Sequence, residues 1–131
     1  MIVTVKIVQK DLLAKTESVL ADGKAILTGK VLSFPEKEPF SGKGKLEMNS
    51  DGFRLIHQGE TESITELYFE KDGQTTVRSP FGEMIFTTRL TAWNVAEGHA
   101  ELEYRLLQEG TAVGWFRLDA VYVSSLSRTS C

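Results

Sequence analysis

The feature that most constrains this chain is a period of two in its apolar residues. Ala100, Leu102, Tyr104 and Leu106 alternate with Glu101, Glu103 and Arg105. Phe116, Leu118, Ala120 and Tyr122 alternate with Trp115, Arg117, Asp119 and Val121. Met84, Phe86, Thr88 and Leu90 fall on one side of another such run, and Phe53, Leu55 and His57 on one side of a third. Successive side chains of a strand point to opposite faces, so the pattern describes sheet with one face buried and the other wet. Asp22-Gly23, Asn49-Ser50-Asp51-Gly52, Lys71-Asp72-Gly73, Ser79-Pro80-Phe81-Gly82, Glu97-Gly98 and Glu109-Gly110 punctuate the runs. Gly, Asn and Asp tolerate the positive φ that tight hairpin turns require. The predicted strands are 2–8, 15–21, 24–34, 43–49, 53–58, 63–70, 74–79, 83–93, 99–108 and 112–123.

Residues 10–21 admit two readings. Asp11 could cap a short helix carrying Leu12, Leu13, Thr16 and Leu20 on one side. The Asp22-Gly23 turn that follows favours a hairpin instead. Links this short leave no room for βαβ crossovers, and a sheet of this many twisted strands closes because closure removes exposed edges. The expectation is an all-β chain: a single antiparallel β-barrel of about eight to ten strands over residues 1–124, followed by a polar tail at 125–131. An interior of this size is filled by side chains or holds one small ligand.

Composition narrows the function classes. Of 131 residues 41% are hydrophobic and 25% charged, which fits one globular domain. The net charge of -3, with Lys and Arg scattered, offers no basic face for nucleic acid. Cys131 is the only cysteine, so no internal disulfide forms. The apolar start from Met1 to Gln9 is broken by Lys6 and reads as a strand rather than a secretory signal. No window reaches the roughly 18 apolar residues of a membrane-spanning helix. The expected location is the cytoplasm, away from nucleic acid and membrane; oligomeric state is left open.

Reactive groups are few. His57 and His99 fall on different predicted strands without a cysteine pair, so no metal site is expected. His99, beside Gly98, reads as a solvated turn residue. Ser41-Gly42-Lys43-Gly44-Lys45 lacks the Walker spacing and leads into a strand, so it reads as a flexible approach to a hairpin. The acidic pairs Glu36/Glu38, Glu60/Glu62 and Glu101/Glu103 look like solvated sheet faces rather than the two carboxylates of a glycosidase. No nucleophile with a partner base stands out, no catalytic residue is assigned, and no cofactor is implied. Gly82, ending a tight turn, is expected to tolerate valine less well than Gly44. Tyr104, Tyr122, Phe86 and His57 are the interior-pattern residues with polar or aromatic character, and they are the candidate ligand-binding set. Against that reading, small barrels are more often packed than hollow.

The run Lys45-Leu46-Glu47-Met48, Asp51-Gly52-Phe53, Gln58-Gly59, Phe69, Arg78-Ser79-Pro80-Phe81-Gly82-Glu83, Glu97-Gly98 to Tyr104, and the last strand to Val123 carries a resemblance. It resembles the YwiB-like family of bacterial proteins, which have a calycin (lipocalin-like) barrel and no assigned activity. The likeness spans about three-fifths of the chain, from Lys45 to Val123, with looser agreement at Leu32-Ser33-Phe34 and Glu36. It implies a calycin-like fold, with Pro80-Phe81-Gly82 as a turn whose aromatic ring caps the barrel end. Two positions depart: the family pattern carries Arg where His57 stands and Tyr where Val77 stands, so a pocket there would differ.

The expected function is a non-enzymatic barrel that binds a small apolar or carboxylate-bearing ligand. The alternative is a structural or protein-interaction module with a self-filled interior, meeting a partner through Trp93, expected on the Arg89 face, and Trp115, on the face of Arg117 and Asp119. An enzyme has the least support. A cavity of roughly 300 Å³, the lower end for ligand sites, separates the first two readings.

Overall fold

Each apolar run is a strand, and the strands close on themselves. The computed structural model describes residues 1–37 and 42–124; the predicted polar tail at 125–131 lies outside them. The elements are β1 (Ile2–Asp11), β2 (Thr16–Thr28), β3 (Val31–Pro35), β4 (Lys43–Asn49), β5 (Gly52–Gln58), β6 (Glu62–Tyr68), β7 (Gly73–Ser79), β8 (Gly82–Ala96), β9 (His99–Gln108) and β10 (Thr111–Ser124). Every strand pairs antiparallel with its sequence neighbours, and β1 closes the ring by pairing with both β2 and β10. Among the described residues there is no helix.

Residues 10–21 form no helix, but the hairpin they take part in turns at residues 12–15, between β1 and β2, and not at Asp22-Gly23. Asp11 caps that turn rather than a helix, its Oδ1 accepting from the N–H groups of Leu13 and Ala14 at 3.1 and 3.0 Å. Two turn assignments change. Asp22-Gly23 is not a reversal: β2 runs through it, pairing Lys6 with Asp22 and Val5 with Gly23. The reversal comes at Gly29-Lys30, where β2 hands over to β3. The ten residues of β1 pair with β2 from Thr16 to Ile26, and that ladder outweighs the local turn propensity. At the other signal, Phe81 is fully exposed and caps nothing.

Three bulges bend the ladder. The register slips between Ile7/Val8 of β1 and Ala21/Val19 of β2, between Leu90 and Ala92 of β8, and between Ala112 and Gly114 of β10. A bulge inserts one unpaired residue and switches the faces beyond it. Arg89 therefore pairs with Arg105 on the outer face, whereas Trp93 pairs with Leu102 on the inner one. Trp93, 47% exposed, thus lies on the face opposite to the outward, half-buried Trp115 and not on the Arg89 face.

The middle of the barrel is a girdle of Ile7, Leu32, Leu46, Leu67, Leu102 and Leu118, all buried. Barrel diameter grows with strand number, so ten strands enclose more space than the eight that side chains alone fill. The surplus space lies at the two ends.

Candidate functional site

One end gathers the links β1–β2, β3–β4 and β5–β6, and its chemistry begins with Pro35. Proline cannot donate to the ladder and ends β3. Beyond it the backbone is pinned twice: Glu36 N–H donates to Gly42 O at 2.9 Å, and Lys37 N–H donates to Leu20 O at 2.7 Å. Leu20 is the residue left over by the β1–β2 bulge, so the bulge supplies the carbonyl that holds this segment. So anchored, the Glu36 side chain is buried at 6% exposure and hydrogen-bonded to Nδ1 of His57.

Two glycines, Gly42 just before β4 and Gly44 within it, make room for this arrangement. A Cβ at Gly44 would collide with the Phe34 ring, and one at Gly42 with Gln58 O and, at 3.3 Å, Glu36 Oε1. The Gly42-Lys43-Gly44 pattern is therefore a steric requirement of the site, not slack before a hairpin. The acidic reading of Glu36 as a solvated residue is likewise overturned. Glu38, its predicted partner, lies outside the described residues.

Above the girdle at this end is a cavity of about 260 Å³. Ile7, Leu20, Phe34, Leu46, Leu55 and Leu118 form its apolar walls; Gln9, Glu36, Lys45, His57, Ser63, Thr65 and Tyr104 bring its polar groups. Ser63 is the cross-strand neighbour of His57. Thr65 is tied to Thr75, whose hydroxyl donates to it at 3.0 Å. Tyr104 is buried, its ring against Phe116 at 5.7 Å between centroids. Its hydroxyl makes no hydrogen bond among the described residues, and burial pushes the phenol well above its ordinary value.

Of the four candidate residues the cavity brings together His57 and Tyr104. Tyr122 lines a recess at the opposite end, where its hydroxyl reaches Met48 Sδ at 3.9 Å. Phe86 pairs with Thr75 on β7 and is half-buried, but borders neither space. Glu36 is the residue of this candidate site that the sequence pattern does not reveal. Its one signal is its position after a strand-ending proline and opposite two glycines.

On the outer wall, His99 opens β9 rather than a turn, and His99, Glu101 and Asp119 offer ligand atoms within 4.8 Å of one another. Arg117 pairs with Glu101 and lies 3.6 Å from Asp119, so this group already has its cation.

No family model matches the chain, and no curated protein matches it in sequence. Among solved structures, it is similar to the crystal structure of ywiB protein from Bacillus subtilis, with a TM-score of 0.62 over 95% of this chain and 90% of that one. Sequence identity between the two is 13%. The resemblance read from the sequence therefore holds for the fold. Activity, ligand and partners do not follow from it.

Proposed function

We propose that the barrel is a non-enzymatic binding protein that takes one small apolar or carboxylate-bearing molecule in the cavity at the His57 end. The observation that carries this reading is the Glu36–His57 pair set in a mostly apolar cavity that Tyr104 also lines. A buried carboxylate is costly, and a well-packed apolar replacement of a buried ion pair is often neutral or stabilising. A self-filled barrel gains nothing from such a pair, whereas a mostly apolar pocket with a few placed polar groups is how small ligands are oriented. At about 260 Å³ the space falls just under the roughly 300 Å³ that divides the two readings, so volume by itself does not favour a ligand, and any ligand held there is a compact one. His57, Tyr104, Glu36 and Ser63 are the residues that would meet it.

The test is a thermal-shift screen against short aliphatic and aromatic compounds with and without a carboxylate, repeated on Tyr104→Phe and His57→Ala. The expected result is a stabilising hit whose affinity drops at least tenfold in both variants. A hit that ignores both substitutions moves the site elsewhere.

The interaction-module reading has one observation in its favour. Ile26, Ile64 and Ile85 lie on the outer wall, exposed, and a largely apolar outer recess of about 440 Å³ includes Ile26, Pro35 and Lys43. Sedimentation of the wild-type chain and of Ile26→Lys over a concentration range tests self-association through that wall.

A further inference from the structure

Independently of the inner cavity, we infer a second binding site on the outer wall, for an apolar phosphate monoester: one hydrocarbon group carrying a phosphate head. The site begins where two strands part. β2 and β3 pair only over Ile26–Thr28 and Val31–Ser33. Beyond them Pro35 has no N–H to extend the ladder. The two segments are tied again by Lys37 N–H, which donates to Leu20 O at 2.7 Å. The parting is thus a slot shut at both ends rather than an open edge. Beside it lies the recess of about 440 Å³, with Ala25, Ile26, Phe34 and Pro35 among its apolar walls. That volume falls inside the roughly 300–1,000 Å³ of ligand pockets, a range the inner cavity does not reach.

Charge selects the occupant. Lys43 and Lys45 border the recess from the exposed face of β4, and Lys24 from the exposed face of β2, on the other side of β3. Two strand spacings, about 10 Å, separate the two strands, a gap that flexible lysine stems span. No carboxylate borders the recess. Among the described residues none of these three lysines has an ion-pair partner. The nearest acids along the same strands face other cations: Asp22 stands opposite Lys6 in the ladder, and Glu47 pairs with Arg54 at 3.9 Å.

Three ammonium groups around an apolar floor call for an anion with an apolar body. A phosphate monoester brings about −1.5 to −2 charges at neutral pH and three acceptor oxygens, one for each lysine. A carboxylate offers a single charge and two oxygens. Inorganic phosphate leaves Ile26, Phe34 and Pro35 uncovered. An extended peptide adds to an open strand edge, and this edge is shut at Leu20. A bilayer surface is flat and does not fill a concave recess.

The test is titration calorimetry of the full chain with octyl phosphate, octanoate, octanol and inorganic phosphate, the amphiphiles below their micellar concentrations, with amide shifts followed by NMR. Octyl phosphate is expected to bind with shifts at Lys24, Ile26 and Ser33. Its affinity is expected to exceed that of the other three about tenfold, the worth of a hydrogen bond to a charged group. The double variant Lys24→Ala/Lys43→Ala, changed only at exposed side chains, is expected to lose about that factor, and about 0.5 M salt to weaken the wild type as well. Octanoate or octanol binding as tightly overturns the phosphate head, and inorganic phosphate binding as tightly overturns the apolar body. Octyl phosphate shifts confined to Gln9, Ser63 and Tyr104 overturn the outer site while supporting the inner cavity. No binding of octyl phosphate, or a wild-type dimer that Ile26→Lys dissociates, overturns the outer site and leaves the cavity reading standing.

Discussion

At one end of the barrel Phe53 meets Phe69 edge-on at 5.6 Å, and Phe69 lies against Trp93 at 4.8 Å. At the other end Glu36 and His57 face each other in a cavity that Ser63, Thr65 and Tyr104 also border. The free volume is the same, about 260 Å³ at each end. What differs is the chemistry of the walls. The aromatic end adds Asn49, Lys30 and the Tyr122 hydroxyl to apolar residues, and that hydroxyl is already directed at Met48. The His57 end buries an ionisable pair and leaves a phenol without a hydrogen bond among the described residues. Space alone therefore does not distinguish the two ends; the polar groups that line it do.

The contrast is most directly tested by truncation. Phe53→Ala removes a buried ring from an aromatic cluster, and its expected cost is about 3–5 kcal/mol. Leu55→Ala, two residues along the same inner face, is expected to cost less than half of that. Leu55 is half-buried and already borders the cavity, so its loss enlarges an existing space instead of opening a new one. Denaturant melts with unchanged slope measure both. Equal losses would show that the His57 end is packed as tightly as the aromatic end.

Two glycines sharpen the same comparison. Valine at Gly44 must displace the Phe34 ring, and the room available to that ring is the cavity it lines. Overpacking of this kind costs about 1–3 kcal/mol, and ligand binding is expected to be lost with it. Valine at Gly82 meets no neighbouring atom but sits at φ +135°, where a β-branched side chain strains the backbone. That variant is expected to lose comparable stability, about 1–3 kcal/mol, and to keep binding. The expectation from sequence that Gly82 is the more demanding position thus gives way to a difference in kind, read by thermal melts with a bound reporter ligand. Retained binding in Gly44→Val would separate Phe34 from the site.

Most of the fold was legible because alternation is a direct imprint of the pleat. Leu102, Tyr104, Leu118 and Ala120 are buried as the pattern requires. What was not legible is what alternation cannot encode. The extra residue at Thr91 leaves the composition of β8 unremarkable, yet moves Trp93 from the Arg89 face to the Leu102 face. Asp22-Gly23 and Gly29-Lys30 look alike as turn signals, and only the length of the β1 partner strand decides between them. The candidate site was legible only in part. That His57 and Tyr104 face the barrel interior followed from the alternation, whereas Glu36 resembles any acidic residue at a strand end until the bulge carbonyl and the two glycines opposite are known.

The smallest effect belongs to an exposed ion pair, in contrast to the buried Glu36–His57 contact. Arg89 Nε and Nη2 donate to the two carboxylate oxygens of Asp72 at 3.0 and 2.9 Å, on the outer face near the aromatic end. Both side chains are well exposed, at 57% and 41%. Water and salt screen such a pair, and holding two mobile side chains together offsets most of the attraction. The hydrogen bond from Arg89 nonetheless holds the Asp72 carboxyl below its ordinary value of 3.8. A depressed carboxyl contributes stability above its unfolded value and loses it as the pH falls through the folded one. Asp72→Asn is therefore expected to melt slightly below the wild type at neutral pH, and the gap is expected to close below about pH 4 or in 1 M salt. Thermal melts from pH 2 to 7 at two ionic strengths measure it. A gap that exceeds the loss caused by His57→Ala would reverse the comparison, making the outer pair the one that holds the barrel and the inner pair incidental to it.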